Sequence, residues 1–155
     1  MLEVKAENIL IKLEADSKEE VIRVMVDLLV NNGYVKPEYY DILIAREEQY
    51  PTGLPTEGIQ VAIPHGISEG SVIKPAVALA TLAKKIKFRN MANKDEELSV
   101  GLVFLFGLPG EHELAEELNK VMSIFSEGEL LSRVYSSKSK DQIMEIMNKL
   151  LKNDP

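Results

Sequence analysis

Two imidazoles set the chemistry this chain can do: His65 and His112 are its only histidines, and it has no cysteine. A neutral imidazole can attack with one ring nitrogen while the other donates a hydrogen bond that fixes the tautomer. His65 ends the run Gly58-Ile59-Gln60-Val61-Ala62-Ile63-Pro64-His65-Gly66 and reads as the nucleophile. Val61 and Ile63 alternate with Gln60 and Ala62, which suits a pleated strand, and Pro64 stops it because proline cannot donate to the ladder. Gly66 then lets the backbone turn and leaves the ring uncrowded. An imidazole presented where the chain leaves a sheet can meet another macromolecule, which one in mid-strand cannot. His112 follows the apolar run Val100 to Phe106 and the break Gly107-Leu108-Pro109-Gly110, placing it in the first turn of a helix. Free amides and positive potential there suit a phosphate group.

The elements that must position these rings are legible in order. Ile9 to Leu13 reads as a strand, and Ser17-Lys18-Glu19-Glu20 offers a capping box for a helix that buries Val21, Val24, Met25, Leu28 and Leu29 and stops at Asn31-Asn32-Gly33. A second helix begins at Lys36-Pro37, with Tyr40, Leu43 and Ile44 as its inward stripe. Arg46 near its end is favoured by the macrodipole whatever its function. Tyr50 to Gly58, with two prolines and two glycines, reads as a loop. Thr52 and Thr56 in it can donate to a phosphoryl group or to the His65 ring, or can satisfy the turn backbone. Glu57 can orient an imidazole or stay in solvent.

Ala76 to Leu82 reads as a strand with Val77, Leu79 and Thr81 on one face and Ala78, Ala80 and Leu82 on the other. Lys94-Asp95-Glu96-Glu97 reads as a charged turn before the central strand Val100 to Phe106. Leu114, Leu118, Val121, Met122 and Phe125 recur at helical spacing, and two more helices cover Glu129 to Tyr135 and Gln142 to Leu151, the last with Ile143, Ile146, Met147 and Leu150 inward. Alternating strands and helices predict a single α/β domain over residues 1–155, a sandwich with a central mixed β-sheet flanked by helices.

The segment from Arg46-Glu47 through Pro51-Thr52-Gly53-Leu54-Pro55-Thr56 to Val61-Ala62-Ile63-Pro64-His65-Gly66 resembles the active-site region of the IIA domains of the bacterial sugar phosphotransferase system. It is most similar to the mannitol/fructose-type superfamily, and the Pro-Thr-Gly-Leu-Pro-Thr run points to its galactitol-type branch. Phe88-Arg89-Asn90-Met91, the run Val100 to Phe106, and His112 before Leu114 and Leu118 are also in family order. The resemblance implies a phosphotransferase that forms a phosphohistidine at His65, with His112 stabilising the phosphoryl group and Arg46 close to the active ring. Thr52 and Glu57 are the other supporting candidates. It implies phosphate arriving from the phosphocarrier HPr and leaving to a cysteine of a IIB component, which serves the membrane IIC component in sugar uptake. A regulatory IIA-like module, whose phosphorylation state controls a protein partner without transport, is the competing expectation.

Composition narrows the alternatives. A net charge of −7 argues against nucleic-acid binding and suits partners with basic docking patches. Without cysteine the chain cannot itself be the IIB domain, and its apolar runs are too short to span a bilayer, so it is not IIC. The opening Met1-Leu2-Glu3-Val4-Lys5-Ala6-Glu7 lacks a signal-peptide pattern, so a cytoplasmic location is expected. Two histidines without a carboxylate motif make a poor zinc site, and neither metal nor cofactor is required.

Overall fold

The computed structural model describes residues 3–68 and 70–152; Met1, Leu2, Glu69 and Asn153 to Pro155, and the side chains of Leu151 and Lys152, lie outside the description. In chain order the elements are β1 (Ile9–Leu13), α1 (Lys18–Asn31), α2 (Tyr39–Gln49), β2 (Gly53–Leu54), β3 (Gln60–Ala62), β4 (Ala76–Asn90), β5 (Asn93–Gly107), α3 (Glu111–Ile124), α4 (Gly128–Ser136) and α5 (Lys140–Lys152). β4 and β5 form a long antiparallel hairpin from Ala76 opposite Gly107 to Asn90 opposite Asn93. β1 runs parallel to β4, and β3 runs parallel to β5. β2 pairs antiparallel with β3 and touches the far end of β4 at Asn90. The pairings β4-β2-β3-β5 therefore close a circuit, with β1 outside it. The expected single α/β domain around a mixed sheet is what the chain forms.

The alternation read along Ala76 to Leu82 divides the core. Val77 and Leu79, with Leu102, Phe104 and Phe106, face α3, α4 and α5 through Leu114, Val121, Leu131, Val134 and Ile143. Ala78 and Ala80, with Val103 and Leu105, face α1 and α2 through Val21, Met25, Leu29, Tyr39 and Leu43. Side chains two apart share a sheet face, so one strand serves both layers. The capping signal also holds, since Ser17 Oγ accepts from Glu20 N–H at 3.1 Å.

Several elements differ from expectation, for identifiable reasons. Lys94-Asp95-Glu96-Glu97 is strand, and the chain reverses at Met91-Ala92, because Arg89 and Lys87 face Glu97 and Ser99 across the ladder and make the charged positions compatible with pairing. Gly53-Leu54 is a short strand inside the expected loop, held by Ala62 and Val61. α1 buries Ile22 and Val26 in place of Val24 and Leu28, which are half-buried. α2 buries Tyr39, Leu43 and Glu47, leaving Tyr40 and Ile44 only half-buried. A helix with polar partners waiting in the interior turns them inward, and apolar periodicity cannot see those partners. Met122 of α3 is 42% exposed, while Ile124 takes an inward place.

Candidate functional site

The parallel pairing of β3 with β5 sends both strands out of the sheet at the same end. The pairing continues past the regular ladder, because Phe106 N–H donates to Pro64 O at 3.0 Å. His65 follows immediately, and the chain after β5 passes Gly107 to Gly110 before α3 begins at Glu111. Both histidines thus lie beyond neighbouring strand ends, where ligand sites of α/β sheets gather. Gly66 has its own reason for being glycine. A Cβ there would stand 3.0 Å from Ile42 Cγ2, so the absence of a side chain lets the loop lie against α2 and serves close approach more than turning.

The His65 ring is half-buried, and its Nδ1 lies 2.7 Å from Ile63 O. A carbonyl only accepts, so Nδ1 carries the proton and Nε2 keeps its lone pair. Burial pushes the imidazole pKa below its ordinary 6.5; the Ile63 carbonyl works against this, and the Arg46 charge adds to the lowering. Neutral imidazole is the nucleophilic form, so the environment keeps the ring ready at pH 7. A group with a depressed base pKa binds fewer protons folded than unfolded. Stability should therefore be held above pH 6.5 and fall as pH drops from there through the folded value. The His65 ring is expected to titrate below 6.5, and Arg46→Gln to move that midpoint upward by removing a repelling charge. Ring-proton NMR across the acid range checks both, and an unshifted midpoint in the variant would separate Arg46 from the site.

Arg46 lies within electrostatic reach of His65, although many residues intervene in the chain. The intervening residues go into the β2–β3 hairpin, which runs away from the site and back. The guanidinium packs over the Tyr50 ring at 4.6 Å, and Arg46 Nε is buried without a hydrogen-bond partner. A buried donor without a partner is costly to keep. Ile42, Ala45, Arg46, Gln49, Tyr50 and Ile67 line a shallow cavity of about 260 Å³ beside it. Tyr50 and Ile67 are 51% and 42% exposed, giving this rim apolar surface.

Thr52 is enclosed, and its hydroxyl is already committed. Its Oγ1 donates to Glu47 Oε1 at 2.7 Å and its N–H to Glu47 Oε2 at 2.9 Å. Its carbonyl accepts from Ile63 N–H at 3.1 Å, so it braces the strand leading to His65 and does not offer its hydroxyl to a phosphoryl group. Thr56 Oγ1 likewise donates to Ile59 O at 2.5 Å and satisfies the turn. Glu57 is exposed at the far turn of the β2–β3 hairpin, where its backbone lies against Gly128. The Glu57 side chain faces solvent.

His112 sits in the first turn of α3, with its side chain 83% exposed and Nε2 3.0 Å from Glu116 Oε1. Two contributors escaped the sequence reading. Glu47 is a buried carboxylate whose pKa burial raises, against the pull of the two Thr52 bonds. Tyr39 is fully enclosed, and its hydroxyl donates to Phe106 O at 2.6 Å. Their spacing with Leu43 at every fourth position was the available signal.

With this geometry in place, residues 4–150 match the family described as "Phosphoenolpyruvate-dependent sugar phosphotransferase system, EIIA 2". The chain belongs to that family. It is 27% identical over 149 residues to the "PTS system mannitol-specific EIICBA component" of Escherichia coli, covering 95% of this chain but only 22% of that longer protein. It is 25% identical over 147 residues to the "Ascorbate-specific PTS system EIIA component" of Escherichia coli, covering 93% of this chain and 92% of that one. The crystal structure of IIA mannitol from Escherichia coli superposes with a TM-score of 0.77 at 26% identity, over 94% of this chain and 99% of that one. No helix among the described residues is long and apolar enough to cross a membrane.

Proposed function

We propose that this chain is a phosphoryl relay of sugar uptake, working in the cytoplasm, with His65 as the residue that holds the group. The observation that carries the reading is the Nδ1 contact to Ile63 O, which leaves Nε2 as the free nucleophile beside a guanidinium with an unpaired donor. Nε2 attacks the phosphorus of a phosphohistidine on HPr. A new P–N bond forms at Nε2 as the donor's P–N bond breaks, and the electron pair returns to the donor imidazole. In the second step a thiolate of a IIB component attacks the same phosphorus, and the pair of the breaking bond returns to Nε2. Nδ1–H stays on Ile63 O throughout, so no proton need leave this ring. Arg46 binds phosphoryl oxygens, and the work of the site is positioning and charge stabilisation.

His112 is the second phosphoryl stabiliser in this reading. Its support is placement: it lies in the first turn of the helix that follows β5, the strand beside the one that leads to His65, and its Glu116 partner is a surface contact a docking protein can replace. The exposed Tyr50 and Ile67 offer the carriers an apolar landing beside the ring. The sugar class suggested by the Pro51–Thr56 run is galactitol-like, while the compared relatives are named for mannitol and ascorbate.

The test is incubation with phosphorylated HPr, then with IIB components for galactitol, mannitol and ascorbate. One acid-labile, alkali-stable phosphate per chain is expected, and it should discharge to a IIB partner. His112→Ala is expected to slow transfer roughly 10-fold or more while still allowing phosphorylation. Label on serine or threonine would refute the site. Phosphorylation without discharge to any IIB would favour the regulatory module.

A further inference from the structure

Tyr39 opens α2 and is wholly enclosed, yet its polar atom serves the loop that carries the nucleophile. The hydroxyl donates to Phe106 O at 2.6 Å, and the backbone N–H of Gly66 faces the Tyr39 hydroxyl oxygen. The ring packs beside Gly107, with Cε2 3.9 Å from where a Cβ there would stand. Phe106 N–H in turn donates to Pro64 O at 3.0 Å. Phe106 therefore grips the residue before His65 directly and the residue after it through the Tyr39 hydroxyl. A phenylalanine would fill this apolar space almost as well, so packing alone does not call for the oxygen.

Resting on the reading of His65 as the phosphoryl acceptor, we infer that Tyr39 is a positioning residue for the transfer, fixing the His65–Gly66 backbone so that Nε2 meets phosphorus in line. It does not touch the phosphoryl group. In-line displacement is sensitive to misplacement on the order of 1 Å, which can cost about 100-fold in rate. Two backbone pins flanking one residue are the means by which a loop can hold such a tolerance.

The experiment compares Tyr39→Phe with Tyr34→Phe. Tyr34 is another buried tyrosine of the same core, and its hydroxyl donates to the Glu7 carboxylate, so the control removes the same atom from a polar contact outside the site. Tyr39→Phe is expected to accept phosphate from phosphorylated HPr roughly 10- to 100-fold more slowly, with the donor KM unchanged within about twofold and with faster hydrogen exchange at the Gly66 amide. Tyr34→Phe is expected to transfer at the unmodified rate. A folded Tyr39→Phe that transfers within about twofold of the parent overturns the inference, and so do equal losses in both variants. If Tyr39→Phe does not fold, site-specific 3,5-difluorotyrosine at position 39 keeps the hydroxyl but weakens it as an acceptor, and an unchanged rate there overturns the inference equally. Failure of the parent chain to take phosphate on His65 would remove the relay reading itself. Parent phosphorylation with an unimpaired Tyr39→Phe removes this inference alone.

Discussion

If His65 is the acceptor, replacing it with alanine is expected to bring phosphoryl acceptance from HPr down by a factor of roughly 10⁴ or more, to background, because the attacking Nε2 is gone. The chain has no cysteine to substitute as a nucleophile, and His112 sits in the first turn of α3 against Glu116. Folding should survive. The ring is half-buried and makes one hydrogen bond, to the backbone of its own loop, so its loss should cost about 1 kcal/mol. Mass spectrometry of the intact chain after exposure to the phosphocarrier, alongside a thermal melt, reads both quantities. A phosphoryl adduct that persists in His65→Ala at the parent level would place the acceptor elsewhere and undo the relay.

The largest stability effect is expected at Glu47. Glu47→Ala strips the buried Thr52 of the acceptor for both its hydroxyl and its amide, and each unpaired buried donor costs on the order of 1–3 kcal/mol. A total near 3 kcal/mol would lower the melting temperature by roughly 6–12 °C for a chain of this size. Adding Thr52→Val should then cost little more, because the hydroxyl has already lost its partner. Burial raises the Glu47 pKa, so between the unfolded value of 4.5 and the folded value the native state binds more protons than the unfolded one. The stabilisation from this group is complete below pH 4.5 and declines as pH climbs through that window. Glu47→Gln keeps an acceptor for Thr52 and removes that decline. Denaturant titrations of the three variants at several pH values check this, and a loss under about 1 kcal/mol for Glu47→Ala would show that the pair is dispensable.

Much of the site could be read from residue order. The strand-Pro-His-Gly pattern put His65 at a strand exit, and the family resemblance, not helix-end chemistry, suggested that Arg46 lies near it; in the fold Arg46 acts electrostatically on the ring. The contacts that hold the site were less visible. Tyr39 and Tyr40 are adjacent, about 100° apart on a helix, and hydrophobic spacing alone favours neither. What decides is Phe106 O, which reaches Tyr39 only after β5 has formed. Glu47 is hidden for the same reason, since a glutamate reads as solvent-facing until Thr52 is seen to supply two donors. For Glu57 the sequence left two roles open, and nearness in sequence to His65 concealed the hairpin turn on which it lies. The charged half of the β4–β5 hairpin looked like a turn because its partners lie across the ladder, not along the chain.

The grips on either side of His65 also bear on how the proposed relay would meet its carriers. Pro64, just before His65, is tied to the end of β5 by Phe106 N–H, so the backbone that carries the ring is already seated. In the proposed relay, approach and departure of the carriers would then govern how fast phosphate flows, so throughput should track their concentrations and the ionic strength between them.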